Sequence, residues 1–178
     1  MTNTTKFLIV TAVFFALGVI MAFNLQEPSN VSEKVVVKID SRIDTVYVDS
    51  MSLQEEMYYY LTSELELSRN KALGLIANAE RESGLKTVIA GDGGTSNGIF
   101  QWHGHRLTRL KNNVSNWKKS WKAQFNYALT EDFGPKYLKI VFKTPEAAAH
   151  WWMSRWERPG NQAYARQKNN EFLSNYNF

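Results

Sequence analysis

The chain contains no cysteine, which removes disulfide staples, thiolate zinc sites and a cysteine nucleophile together. It does not fix a redox compartment. Histidine is nearly as scarce: the three present, His103, His105 and His150, form no H-E-x-x-H pattern or other metal-ligand spacing, which argues against a zinc hydrolase. A surface or loop role is the default for each, and neither a metal nor a cofactor is expected. Dense Lys/Arg runs, internal repeats and low-complexity tracts are also missing. Nucleic acid is therefore not the expected partner.

What remains is a chain of 178 residues, 44% hydrophobic and 13% aromatic, which has enough apolar surface for one cored domain and a short appendage. Its charge is uneven. Four basic and five acidic residues precede Ser52, leaving 17 basic and 12 acidic residues, a net +5, in the remainder. A modestly basic domain suits an anionic polymer such as nucleic acid, anionic lipid or bacterial cell wall, and charge alone does not choose among them.

Phe7 to Phe23, FLIVTAVFFALGVIMAF, is an unbroken uncharged run. It is slightly shorter than the ~20 residues that span a bilayer comfortably, but within the usual range. A cleaved signal peptide is the rival reading, yet its apolar region is normally shorter and ends in a small-x-small site, whereas Ala22 here has Ile20 two places before it. Residues 1–25 are therefore read as a transmembrane anchor. Lys6 before the run, with Glu27 and Glu33 after it, favours a cytoplasmic N-terminus and a periplasmic remainder. Residues 26–51 read as a tether, partly β-like in EKVVVKIDSRIDTVYVD, forming either a small strand or a coil that pairs only in an oligomer. The small-xxx-small pairs Ala12/Ala16 and Gly18/Ala22 make a weak homo-oligomer through anchor or tether conceivable.

Residues 52–178 read as mostly helical. Helices are expected over Leu53–Leu65, from Ser68 to a stop at Gly84, and around Gln101–Lys111, Trp117–Leu129, Thr144–Arg158 and Gln162–Tyr176. Pro135, Pro145 and Pro159 punctuate them, and Gly91–Gly98, GDGGTSNG, is a turn-rich loop.

The stretch IANAERESGLKTVIAGDGGTSNGIFQWHG carries the chemical signal. Glu80 and Glu82 both flank the apolar stripe Ala72, Leu75, Ile76 and Ala79, roughly 70–90° from its centre at 100° per residue, so periodicity does not separate them. Either could be a solvated charge at a helix end. The ordered set Glu82-Ser83, Gly98-Ile99-Phe100-Gln101, His103-Gly104, Arg106-Leu107 and Trp156-Glu157-Arg158-Pro159 resembles the phage tail lysozyme family, and more distantly goose-type lysozymes and lytic transglycosylases. The resemblance covers roughly Leu53 to Tyr176. It implies a mainly α, α+β lysozyme-like fold, peptidoglycan as substrate, and Glu82 as the catalytic acid, because only Glu82 immediately precedes Ser-Gly. Glu80 is left structural.

Cleaving a glycosidic bond requires a carboxyl that stays protonated near neutral pH, which burial beside apolar groups promotes. Asp92 is the candidate second carboxylate, activating a water or steadying positive charge on the sugar, although Asp-Gly is equally a turn-former. Ser96, Asn97, Gln101 and Trp102 are candidate substrate-binding residues: Gln101 by shaping the sugar site, Trp102 by stacking on a sugar face. The alternatives are loop hydrogen bonds for the first three, while Trp151, Trp152 and Trp156 at helical spacing read as core.

The expected function is a bacteriolytic, antimicrobial muramidase held in the envelope, acting as a virion component or at lysis. The alternatives are a lytic transglycosylase with the same acid, a non-catalytic wall-binding module and a structural virion membrane protein. The anchor has a direct check. The full chain expressed in bacteria should stay with the membrane fraction through alkaline carbonate washing, whereas release into the wash would remove the spanning reading.

Overall fold

The computed structural model describes residues 51–178 in full and, before them, the backbone of two strands. Phe7–Phe23 lies outside the described residues. Among those described, no helix is long and apolar enough to cross a membrane.

The strands β1 (Glu33–Ile39) and β2 (Arg42–Val48) pair antiparallel, with Val36 opposite Thr45 and Ile39 opposite Arg42. The β-like half of the tether thus pairs with itself. This hairpin is one unit and Ser52–Phe178 is another.

The second unit is mainly helical with a very small sheet. Ser52 opens α1 (Leu53–Tyr59) through a capping box: its hydroxyl accepts the Glu55 N–H at 3.2 Å while the Glu55 carboxylate accepts the Ser52 N–H at 2.7 Å. The helix continues as a π-helical turn over Tyr60–Glu64, close to the expected end at Leu65. Next comes α2 (Arg69–Ser83), ended by Gly84 in the left-handed conformation at φ 59°. Every residue from Ala72 to Ala79 in α2 is buried, so the helix has no solvent-facing side along that length. This corrects the picture of a single apolar stripe: α2 is the central helix, packed by α1, α6 and α7.

Beyond the glycine loop, β3 (Ser96–Asn97) pairs with β4 (Trp102–His103). That pairing delays α3 (Gly104–Asn113) beyond its expected start at Gln101, whose φ of 47° is itself non-helical. Ser120 caps α4 (Trp121–Thr130). A short helix not foreseen from the sequence, α5 (Gly134–Lys139), carries Pro135 in its first turn, a position that suits proline as well as a loop does. α6 (Pro145–Trp152) runs into a π-helical turn at Met153–Glu157, and α7 (Gln162–Asn175) closes the unit.

Two features hold the centre. Phe100, Trp102, Phe125, Trp152 and Trp156 form an aromatic core, with Trp152 and Trp156 stacked at 5.0 Å and Phe100 set against all four others. Along α2, Gly74 lets α6 approach closely: a β-carbon there would lie 2.8 Å from the Ala149 backbone nitrogen and 2.9 Å from the Ala148 methyl. Alanine normally gains about 1 kcal/mol over glycine inside a helix. Here overpacking, which typically costs about 1–3 kcal/mol, opposes that gain. Gly74→Ala is therefore expected to lower the urea midpoint of the full chain, and a raised midpoint would show that the helices can separate freely.

Candidate active site

The site is assembled where α2 stops. Ser83 is buried, and its hydroxyl lies within hydrogen-bond reach of the Ala79 carbonyl at 2.9 Å and the Ile99 carbonyl at 3.0 Å. The residue after Glu82 thus ties the helix end to the Gly-Ile-Phe-Gln turn. The same turn is held from the other side by Gln124 on α4, which is fully buried. Its amide accepts the Ile99 N–H at 2.7 Å and donates to the carbonyls of Thr87 at 2.9 Å and Trp117 at 2.5 Å. Gly98 sits at φ 87°, and a β-carbon there would come within 2.7 Å of the Gln124 amide oxygen.

The candidate substrate-binding residues are drawn into this scaffold. Gln101 donates to the carbonyls of Ile89 at 3.0 Å and Gly98 at 3.1 Å. It shapes the loop by bonding loop backbone. Asn97 accepts the Gly98 N–H at 2.9 Å, and Ser96, buried, donates its hydroxyl to Asp92 at 2.7 Å. Trp102 is corrected outright: it is completely buried in the aromatic core and its indole N–H is donated to Glu131 at 2.9 Å, so no ring face is open to a sugar. Asp92 is exposed at φ 49°, in the left-handed region an Asp in a turn tolerates, with one oxygen engaged by Ser96 and Thr95 bonded to its carbonyl at 2.8 Å. Glu80 accepts from Gln54 at 3.1 Å and from Tyr176 at 2.5 Å, and burial together with this bond pushes the Tyr176 phenol up. Its bonds are structural.

Glu82 stands in different company. Arg81 pairs with it at 2.7 Å and also pairs with Glu157, from the π-helical turn that follows α6. The side chains are graded in exposure, Glu82 at 19%, Arg81 at 10% and Glu157 at 3%. Arg81 is fixed from behind by Asn169 of α7, which accepts its Nε–H at 3.1 Å and donates to Asn78 at 2.8 Å. Asn78 in turn donates to the carbonyls of Gly74 at 2.7 Å and Ala149 at 3.1 Å. Glu157 holds its proton well above the ordinary glutamate range, first because burial penalises its charge and then because the Glu82 carboxylate repels it, with Arg81 opposing. The turn carrying Glu157 is secured by Arg106, which lies 3.6 Å from the centre of the Trp156 ring, donates to the Trp156 carbonyl at 3.2 Å and forks onto Glu131 at 2.8 and 3.1 Å.

The carboxylate that shares Arg81 with Glu82 is Glu157. Sequence reading noted it only as part of the Trp156-Glu157-Arg158-Pro159 landmark, and that landmark was the signal available. Gln124 had no comparable signal beyond being an amide on an otherwise apolar helix face. Among the described residues, no three His, Asp or Glu side chains converge as a metal site would require.

A buried central helix with Glu82 one residue before its end, in a mainly helical unit with a small antiparallel sheet, is consistent with a lysozyme-like fold. Residues 52–174 match the phage tail lysozyme family, and the chain belongs to it. Lysozyme-like degradation of peptidoglycan is the activity at family level. Comparisons with curated proteins and with solved structures give no match.

Replacing Gln124 by Leu leaves the Ile99 N–H and two carbonyls without their partner. An unsatisfied buried group costs about 1–3 kcal/mol, so a loss of about 3 kcal/mol in chemical denaturation is expected. A change under about 0.5 kcal/mol, the range of ordinary surface substitutions, would show that the loop is held by other means.

Proposed function

We propose that the chain cleaves the MurNAc–GlcNAc backbone of peptidoglycan with Glu82 as general acid. The observation that carries this is the graded cluster: of the two carboxylates paired with Arg81, only Glu82 keeps an edge toward solvent. Glu82 protonates the glycosidic oxygen, the anomeric carbon–oxygen bond breaks, and positive charge develops on the sugar ring. The excess of basic residues from Ser52 onward suits a substrate bearing carboxylates. In the hydrolytic reading, Asp92 activates a water across the sugar and the configuration inverts. A second reading has its own footing. Asp92 already commits an oxygen to Ser96, and without its help the sugar's own 6-hydroxyl would attack, giving the anhydro product of a transglycosylase.

The N-terminal anchor would place this activity on the periplasmic side, held by the membrane or carried in a virion, for wall penetration at injection or wall breakdown at lysis. A non-catalytic wall-binding or structural role is the outcome opposed to both readings.

The test uses the full chain and Glu82→Gln on purified peptidoglycan with mass spectrometry of the products. Loss of a general acid typically costs about 100- to 10,000-fold, and that drop in the variant is expected. Hydrated reducing ends establish a hydrolase and anhydro ends a transglycosylase. Equal activity in the two proteins excludes Glu82, and binding to wall without released fragments from either makes the chain a binding protein.

A further inference from the structure

Two carboxylates and one guanidinium meet in a site nearly closed to water. With both acids ionised, the group would carry a net negative charge where solvation is poor. Oε2 of Glu157 is taken by Arg81, while Oε1 is buried and has no hydrogen-bond donor among the described residues. Its acidic neighbour is Glu82, and two carboxylates form a hydrogen bond only when one of them carries a proton. A single shared proton therefore supplies the missing donor and brings the trio to neutrality. The other charges facing Glu157 are accounted for. Arg81 and Glu82 come from α2 and Arg106 from α3, and Arg106 is already forked onto Glu131. From α7, the neutral Asn169 acts through Arg81.

We propose that Glu157 is a positioning residue for glycosidic cleavage: with Arg81 it fixes the orientation of the Glu82 carboxyl, and it shares with Glu82 the proton that Glu82 delivers. This rests on Glu82 being the acid. Before reaction the pair holds one proton. Glu82 passes it to the leaving oxygen as the carbon–oxygen bond breaks, leaving both carboxylates ionised beside Arg81. The nucleophile then bonds to the anomeric carbon: the sugar's 6-hydroxyl returns its O–H proton to the pair, whereas a water on the opposite face gives its proton to Asp92 and the pair reloads from solvent. Repulsion between the two transiently ionised acids favours that return. Glu157 touches no reacting atom in this scheme. Its contribution lies in how firmly the Glu82 carboxyl is held and in the proton the two acids share.

The sign of the pH effect follows. In Glu157→Gln the amide can donate at every pH but can neither accept nor release a proton, so the pair loses its shared proton. The alkaline limb of the kcat profile is expected to move down by about one pH unit, a roughly tenfold loss of kcat above it, with KM little changed and rate recovered on acidification. Glu157→Asp, which keeps the acid on a shorter arm, should fall between wild type and Gln. Because Gln could disturb folding, the wild-type full chain in mild detergent provides an independent readout: carbon-13 NMR of its glutamate carboxyls against pH. The Glu82 and Glu157 signals, assigned from the Glu82→Gln and Glu157→Gln spectra, should titrate together in two steps. In Glu82→Gln the two-step curve should collapse to one.

Independent single-step titration of the two acids near the ordinary glutamate value would overturn the proposal. So would a Glu157→Gln profile that is lower in height but unmoved in pH. An inactive Glu82→Gln together with an unmoved Glu157→Gln profile sinks this inference alone. A fully active Glu82→Gln sinks it together with the assignment of the acid.

Discussion

Arg81 lies between two carboxylates at the end of the central helix, and the rest of the site depends on its being held there. A buried guanidinium is costly unless its donors are answered, and removing one partner of a buried pair is worse than never having made it. Glu82 and Glu157 answer two of its directions, and Asn169, steadied by Asn78, answers a third. The partners come from α2, from the turn after α6 and from α7. The orientation of one glutamate is thereby coupled to the packing of the whole helical unit. Gly74 belongs to the same arrangement, because the close approach of α2 and α6 is what lets Asn78 reach the Ala149 carbonyl.

The glycine loop meets the same physical demand differently. It has little regular structure, so its backbone groups must find side-chain partners or water. Gln124 and Gln101 supply those partners from two sides, and Ser83 joins the loop to the helix. A loop tied down this way leaves Asp92 exposed to solvent.

The aromatic core does a third job. Trp102 and Trp156 pack together at 5.6 Å, and both meet the Arg106–Glu131 pair, Trp102 by its indole N–H and Trp156 under the guanidinium. Apolar burial and ionic pairing therefore converge on the turn that carries Glu157. The Arg-Leu and Trp-Glu-Arg-Pro landmarks, far apart in the chain, are the two halves of that one arrangement.

Much of the local architecture was legible in residue order. Ser68 as the start of α2, Gly84 as its stop and the helical spacing of apolar residues carry their meaning within a few positions, since helix ends and periodicity are local physics. Glu82 emerged because Ser83 and the Gly98-Ile99-Phe100-Gln101 turn accompany it in a recognisable order. What no local pattern contains is which groups meet across the fold. The helical wheel could not show that α2 is covered on every side, and an aromatic beside a polar loop looks the same in sequence whether it faces sugar or core, as with Trp102. Glu157 became the partner of Glu82 only when the turn after α6 folded back over the end of α2. Burial and Coulomb interaction depend on distance in space, and that is why tertiary structure alone decided which acids share a site.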